Sequence, residues 1–251
     1  KGLICQSIPS QRGNPPTPPR APVGPVVQET GPKEAPVLTY PDLLQNDHDE
    51  KLFDYYMTSQ LVLLEVKTGR QKKLGRPSIF SSFDVSPFGR DVLVERIHPP
   101  YSYQSPAQFF PRSTEVWDLK ASVKHVTIQP ATEDVATGGV PVQPRGHHWR
   151  PTGSGTIIWI EALDGGDPTR EVEHRDRVMM LEAPFTGRAK QVTILENRFS
   201  KIYWGETRNT ALVREYDSSR NWYYTWLVDP DNPDIDDRLL WSYSVNERYE
   251  H

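Results

Sequence analysis

Between positions 145 and 167 a short segment ending in Trp149 runs into Pro151-Thr152-Gly153-Ser154-Gly155. A β-branched and aromatic run over 156–162 follows and stops at Asp164-Gly165-Gly166. Val, Ile, Thr and aromatic residues suit a pleated, half-buried strand, and Gly, Pro and Ser clusters break it. The stretch therefore reads as a β-hairpin, and the constraint lies in its recurrence. Leu64-Glu65 and Thr68-Gly69-Arg70 return as Leu181-Glu182 and Thr186-Gly187-Arg188. The ending Val126-Thr127-Ile128 returns as Val192-Thr193-Ile194. Each such pair of segments is preceded by another hairpin: 82–98 with turn Ser86-Pro87-Phe88-Gly89, the 145–162 stretch itself, and 201–216. A last pair, 222–228 and 238–241, completes the series.

Equivalent turns recur every about 50 to 65 residues, the range of four-stranded propeller blades with insertions. One four-stranded sheet cannot cover both of its apolar faces, and neighbouring blades do so for each other. The fold class expected is all-β: a partial β-propeller of about three and a half four-stranded blades. It comprises an incomplete blade over 1–77 interrupted by an insertion at 9–59, then blades at 78–130, 145–196 and 199–243. An incomplete ring leaves two flanking sheets uncovered, so the natural chain is expected to be longer at both ends.

The insertion has two parts. Positions 10–36 are crowded with proline and have little to bury, which predicts an extended, solvated excursion. Thr39-Tyr40-Pro41-Asp42 resembles a helix start, with one or two short helices through Met57 carrying Leu43, Leu44, Leu52, Phe53 and Tyr56 on the apolar face. His48 among Asp47, Asp49 and Glu50 lacks the fixed spacing and glycine turn of a hard-cation loop, and an acidic first helical turn accounts for it.

Composition bounds the function. A net charge of -4 without any run of Lys and Arg interleaved with aromatics argues against nucleic acid as a partner. Apolar runs such as 61–64 and 178–181 are far shorter than the roughly 20 residues of a spanning helix, which argues against a membrane partner. Cys5 is the only cysteine, so neither an internal disulfide nor a cysteine zinc site is available. No cofactor is expected.

Several segments together carry a resemblance: Ile8-Pro9-Ser10-Gln11-Arg12-Gly13 with its proline-rich continuation, Asp42-Leu43-Leu44, 49–56 and 59–63. It extends through Pro100-Tyr101-Ser102-Tyr103, Phe110-Pro111, Trp149-Arg150, Trp159, Glu161-Ala162, Asp164-Gly165-Gly166-Asp167, Arg175-Asp176 and Thr225-Trp226. The chain resembles the propeller domain of the prolyl oligopeptidase superfamily, most closely glutamyl endopeptidases of the chloroplast kind and their bacterial relatives. It departs from that pattern in two blade turns, where the usual Ser-Pro-Asp-Gly is replaced by Phe88 at the Asp position and, in the next blade, by Pro151-Thr152-Gly153-Ser154-Gly155. The resemblance implies a serine peptidase whose propeller precedes an α/β-hydrolase domain and limits access to short or unfolded peptides. None of the three catalytic residues falls in the matched part, so this stretch alone is expected to be inactive. The implied partners are peptide or unfolded protein substrates and the hydrolase domain of the same chain, in a cytoplasmic or plastid-like compartment.

Local motifs for chemistry fail on spacing. Gly153-Ser154-Gly155 lacks glycine two residues to either side of the serine, as a nucleophile elbow requires, and reads as a turn. His174-Arg175-Asp176 is followed by Leu181 where a kinase loop places Asn. His147 and His148 are adjacent on a strand, which sends their side chains to opposite faces and argues against a shared metal. The seven tryptophans fall on strands or their edges, as packing residues would. If the whole enzyme cuts after glutamate, a cation must meet that carboxylate, and the planar fork of arginine suits it. Arg145 and Arg150, beside the start of a blade, are the candidate substrate-binding residues. The alternative function is a stand-alone propeller that serves as a protein-interaction scaffold.

Overall fold

The computed structural model describes residues 2–19, 40–132 and 139–246. The chain groups into two compact units: Lys1–Phe83 with Val94–Thr137, and Asp84–Leu93 with Gly138–His251. It is all-β, 47% strand and 6% helix, and the described residues form three antiparallel sheets of four to six strands, each open. This is the make-up of a partial β-propeller.

The first sheet runs in chain order: β1 (Gly2–Ser7), β2 (Thr58–Glu65), β3 (Gln71–Val85), β4 (Asp91–Ile97), β5 (Arg112–Asp118) and β6 (Val123–Gln129). The boundary expected near 77/78 lies inside β3, which continues unbroken for 15 residues. β2 pairs with it in two registers, Leu61–Leu64 against Gln71–Leu74 and Thr58–Ser59 against Ser78–Ile79, with an irregularity between. Gly75 sits at that shift with φ +69, and a Cβ there would lie 2.6 Å from the Trp117 ring. The backbone thus changes register where only a hydrogen fits beneath the indole. The tip of the β3–β4 hairpin closes on Ser86, whose Oγ accepts from Arg90 N at 3.2 Å and Asp91 N at 3.1 Å.

The insertion carries helix α1 (Asp47–Met57). The helix start expected around Thr39 is not where the helix begins: Thr39 lies outside the described residues, Tyr40–Asp42 is not helical, and Asn46 is the cap. Its Oδ1 accepts from His48 N at 2.9 Å and Asp49 N at 3.1 Å, and Asp49 Oδ2 accepts from Gln45 N at 2.9 Å. Two free donors of the first turn and one of the preceding residue are thereby satisfied. Phe53 stacks edge-on against Tyr101 and Phe110, and Tyr101 Oη donates to Asp54 at 2.5 Å. Arg12 fastens the approach to this helix by donating to the carbonyls of Tyr56 and Thr58.

The second unit holds two four-stranded sheets. One is ordered β10-β9-β8-β7 from β7 (Arg145–Trp149), β8 (Thr156–Ala162), β9 (Asp176–Glu182) and β10 (Lys190–Leu195). The other is β11-β12-β13-β14 from β11 (Arg198–Trp204), β12 (Ala211–Asp217), β13 (Trp222–Val228) and β14 (Arg238–Ser244). These are the strands expected at 145–196 and 199–243. Ile158, Val178, Met180 and Val192 of the former sheet share one core with Val213 and Val228 of the latter, flanked by Phe199, Ile202, Trp204 and Trp226. Each fully buried aliphatic side chain contributes about 1.5–3 kcal/mol over exposure. Two sheets bury their facing sides in each other, as neighbouring blades do.

Candidate functional site

The two sequence candidates, Arg145 and Arg150, lie at opposite ends of β7 and enter different networks. Arg145 opens the strand and donates from Nη2 to Asp176 Oδ2 at 2.6 Å. Asp176 opens β9, is fully buried, and also accepts from Arg198 Nη1 at 3.0 Å and Phe199 N at 2.7 Å. Arg198 reaches on with Nη2 to Asp164 Oδ2 at 2.5 Å, which takes Arg175 Nη1 at 3.0 Å as well. Three guanidinium groups therefore meet two buried carboxylates, a surplus of one positive charge. Arg145 Nη1 is buried and has no partner among the described residues. The Asp164-Gly165-Gly166 turn sets the geometry, because Gly166 N donates to Asp164 Oδ1 at 2.9 Å and both glycines have positive φ.

Arg150 follows the last residue of β7 and has no solvent exposure. Its Nη1 donates to Asp231 Oδ1 at 2.7 Å, its Nη2 to the Arg208 carbonyl, and its Nε reaches Thr152 Oγ1 at 3.4 Å. The guanidinium also lies 5.8 Å from the Trp204 ring centroid. Burial pushes the Asp231 carboxyl up, but Arg150 and Arg208 outweigh it and hold Asp231 below the ordinary aspartate value. The turn 150–156 closes over this group through Arg150 N to Thr156 O at 2.9 Å and Gly153 N to Arg150 O at 3.2 Å. Ser154 is an exposed residue of that turn, between two strands.

The two adjacent histidines separate as a strand requires. His147 stacks on Trp159 with centroids 6.0 Å apart, and His148 packs against Trp204 at 6.2 Å. His148 Nδ1 lies 2.8 Å from the Gly146 carbonyl, so Nδ1 carries the proton and donates, leaving Nε2 an acceptor with no partner among the described residues. Burial lowers the pKa of this imidazole despite the Gly146 carbonyl and the nearby Asp84.

His148 belongs to the wall of an open groove of about 500 Å³ within the second unit. Trp149, Trp204 and Pro87 supply apolar wall, and Asp84 and Lys201 bring one charge of each sign. Trp149 ties its end of β7 to the hairpin tip by donating Nε1 to the Asp84 carbonyl at 3.1 Å. The sequence reading did not single out this groove, because its residues come from three separated strands. Among the described residues, no group of three or more His, Cys, Asp and Glu side chains is placed to hold a metal ion, and no helix is long and apolar enough to cross a membrane.

No family model matches the chain. It is 36% identical over 258 aligned residues to a probable chloroplastic glutamyl endopeptidase of Oryza sativa subsp. japonica, covering 98% of this chain and 27% of that protein. The Arabidopsis thaliana protein of the same name is 36% identical over 98% of the chain and 26% of its own length. Among solved structures, an acylaminoacyl peptidase of Pyrococcus horikoshii aligns over 74% of the chain and 29% of its own length, with 12% identity and a TM-score of 0.46. The chain thus corresponds, along nearly all of its length, to a segment spanning about a quarter of the chloroplastic glutamyl endopeptidases to which it is related.

Proposed function

We propose that the full-length protein is a serine-type peptidase of the glutamyl endopeptidase kind, and that this chain is propeller that shapes the access of peptides to a hydrolase active site. The carrying observation is the 36% identity to proteins named probable glutamyl endopeptidase along 98% of the chain. The blades at 1–77, 78–130, 145–196 and 199–243, the hydrolase domain that follows them in the same chain, and the inactivity of the 251 residues alone are parts of this reading. So are peptide or unfolded protein substrates and a plastid-like compartment, the latter supported by the word chloroplastic in both relatives' names.

Arg145 is the candidate cation for a substrate glutamate, supported by the surplus positive charge of its network, in which three guanidinium groups meet two carboxylates. Arg150 enters the proposal as the arginine directly after β7, with its donors directed to Asp231, Arg208 and Thr152. A charge-assisted hydrogen bond contributes about 1.5–3 kcal/mol, so losing one to the substrate lowers selectivity by about ten- to hundredfold. Cleavage after Glu and after Gln is to be compared in full-length Arg145→Ala and Arg150→Ala. The ratio of kcat/KM for the two substrates does not depend on how much enzyme is folded. A fall in that ratio is expected, and an unchanged ratio removes the arginine concerned.

A further inference from the structure

The groove in the second unit has a feature that a generic surface depression lacks. Phe199, Ser200, Lys201 and Ile202 line it in succession. β11 shifts register against β12 between Phe199 and Lys201; past that irregularity Lys201 and Ile202, whose side chains alternate between the two faces, both line the groove, so the strand presents its edge there. That edge is free. β11 stands at the end of its sheet and, among the described residues, pairs with β12 alone; β7, which contributes His148 and Trp149, stands likewise at the end of its own sheet. Free strand edges carry unpaired N–H and C=O groups at the spacing of an extended chain.

The side chains around that edge narrow the choice of ligand. Trp149 and Trp204 offer aromatic wall for an apolar residue. The Lys201 ammonium is exposed, makes no ion pair among the described residues and rests 4.8 Å from its neighbour Tyr203's ring centroid. The Asp84 carboxylate likewise makes no ion pair among the described residues and disfavours a second acid on the same ligand. His148 completes this wall, with its Nε2 buried.

We propose that this groove binds an extended peptide segment, which pairs its backbone with the free edge of β11, lays an apolar side chain on Trp149 and Trp204, and sets one acidic side chain on Lys201. This deepens, and rests on, the peptide-handling role proposed above, and it places a peptide contact on the propeller itself. Augmentation of this kind takes affinity from main-chain hydrogen bonds and selectivity from alternate side chains.

The test uses the full-length protein with its nucleophile blocked by diisopropyl fluorophosphate, and fluorescein-labelled acetyl-Val-Thr-Phe-Glu-Val-Thr-amide as the probe, followed by fluorescence anisotropy. Two control peptides carry Lys in place of Glu, or N-methyl groups at alternate residues. Lys201→Glu changes an exposed side chain and replaces attraction by repulsion, so the parent peptide should bind about tenfold more weakly and the Lys peptide more tightly than to wild type. N-methylation should abolish binding to both proteins. Equal affinities for wild type and Lys201→Glu, undiminished binding of the N-methylated peptide, or no binding of the parent peptide to wild type would each overturn the proposal. Hydrolysis by untreated wild type is measured in parallel. Its absence refutes the peptidase reading while anisotropy still decides the groove, and hydrolysis with unchanged anisotropy refutes the groove alone.

Discussion

Glu115 is 3% exposed and carries four hydrogen bonds. Its Oε1 accepts from Arg96 Nε at 3.1 Å, Arg96 Nη2 at 2.5 Å and Ser113 Oγ at 2.7 Å, while Oε2 accepts from Trp117 Nε1 at 2.7 Å. Burial pushes its carboxyl up, but these donors outweigh the desolvation and hold the pKa below the ordinary glutamate value. The stabilisation is therefore complete above the unfolded pKa and disappears as the pH falls through the folded one. Glu115→Ala leaves Trp117 Nε1 unpaired and removes the carboxylate from Arg96, which keeps Ser78, and from Ser113, which keeps His98, and a loss of about 2–4 kcal/mol in urea unfolding at pH 7 is expected. The imidazoles of His98, His125 and His148 move the other way from a paired histidine: burial is the first cause in each, and each pKa is lowered. The unfolded chain then binds more protons below its own histidine pKa of about 6.5, so stability falls as the pH drops from there. A urea midpoint lower at pH 5.5 than at pH 7.5 is the expected result.

At the scale of elements, Gly166 decides whether the turn after β8 can form. Its φ is +78 and an added Cβ would lie 2.0 Å from the Val140 carbonyl oxygen, whereas Gly187 has open space. Gly166→Ala should cost at least about 2 kcal/mol, and Gly187→Ala should be close to neutral when both are compared by thermal unfolding. The strands themselves were legible, since alternation and turn residues are local: 156–162 was read as the strand that forms there, and 222–228 likewise. The unbroken β3 was not, because Arg76-Pro77 looks like a boundary and the pairing that carries the strand through it lies on β2. The helix start was misplaced for a related reason. Thr39 and Asn46 are both acceptable caps, and what selects Asn46 is tertiary: Phe53 docks on Tyr101 and Phe110, nearly 50 or more positions away in sequence.

Across the whole molecule, what sequence leaves hidden is the partner of each charge. Arg145 and Arg150 stood out as arginines beside a strand, yet Asp176 and Asp231, which engage them, lie 31 and 81 positions further on. Nothing local marks such pairs, nor the groove, whose wall is assembled from the β3–β4 tip, β7 and β11. Several apolar side chains on outer strands stay exposed among the described residues, Leu3 on β1 and Leu239 and Trp241 on β14. Surfaces of that kind bury themselves against a further sheet in a propeller. On the proposed reading the protein's chemistry is housed outside these 251 residues, and the most direct measurement is where a fluorophosphonate probe attaches. Peptide mapping of the labelled full-length protein should locate the adduct on a serine outside this chain, with the isolated 251 residues unlabelled. An adduct on any serine within it, Ser154 included, would contradict the account.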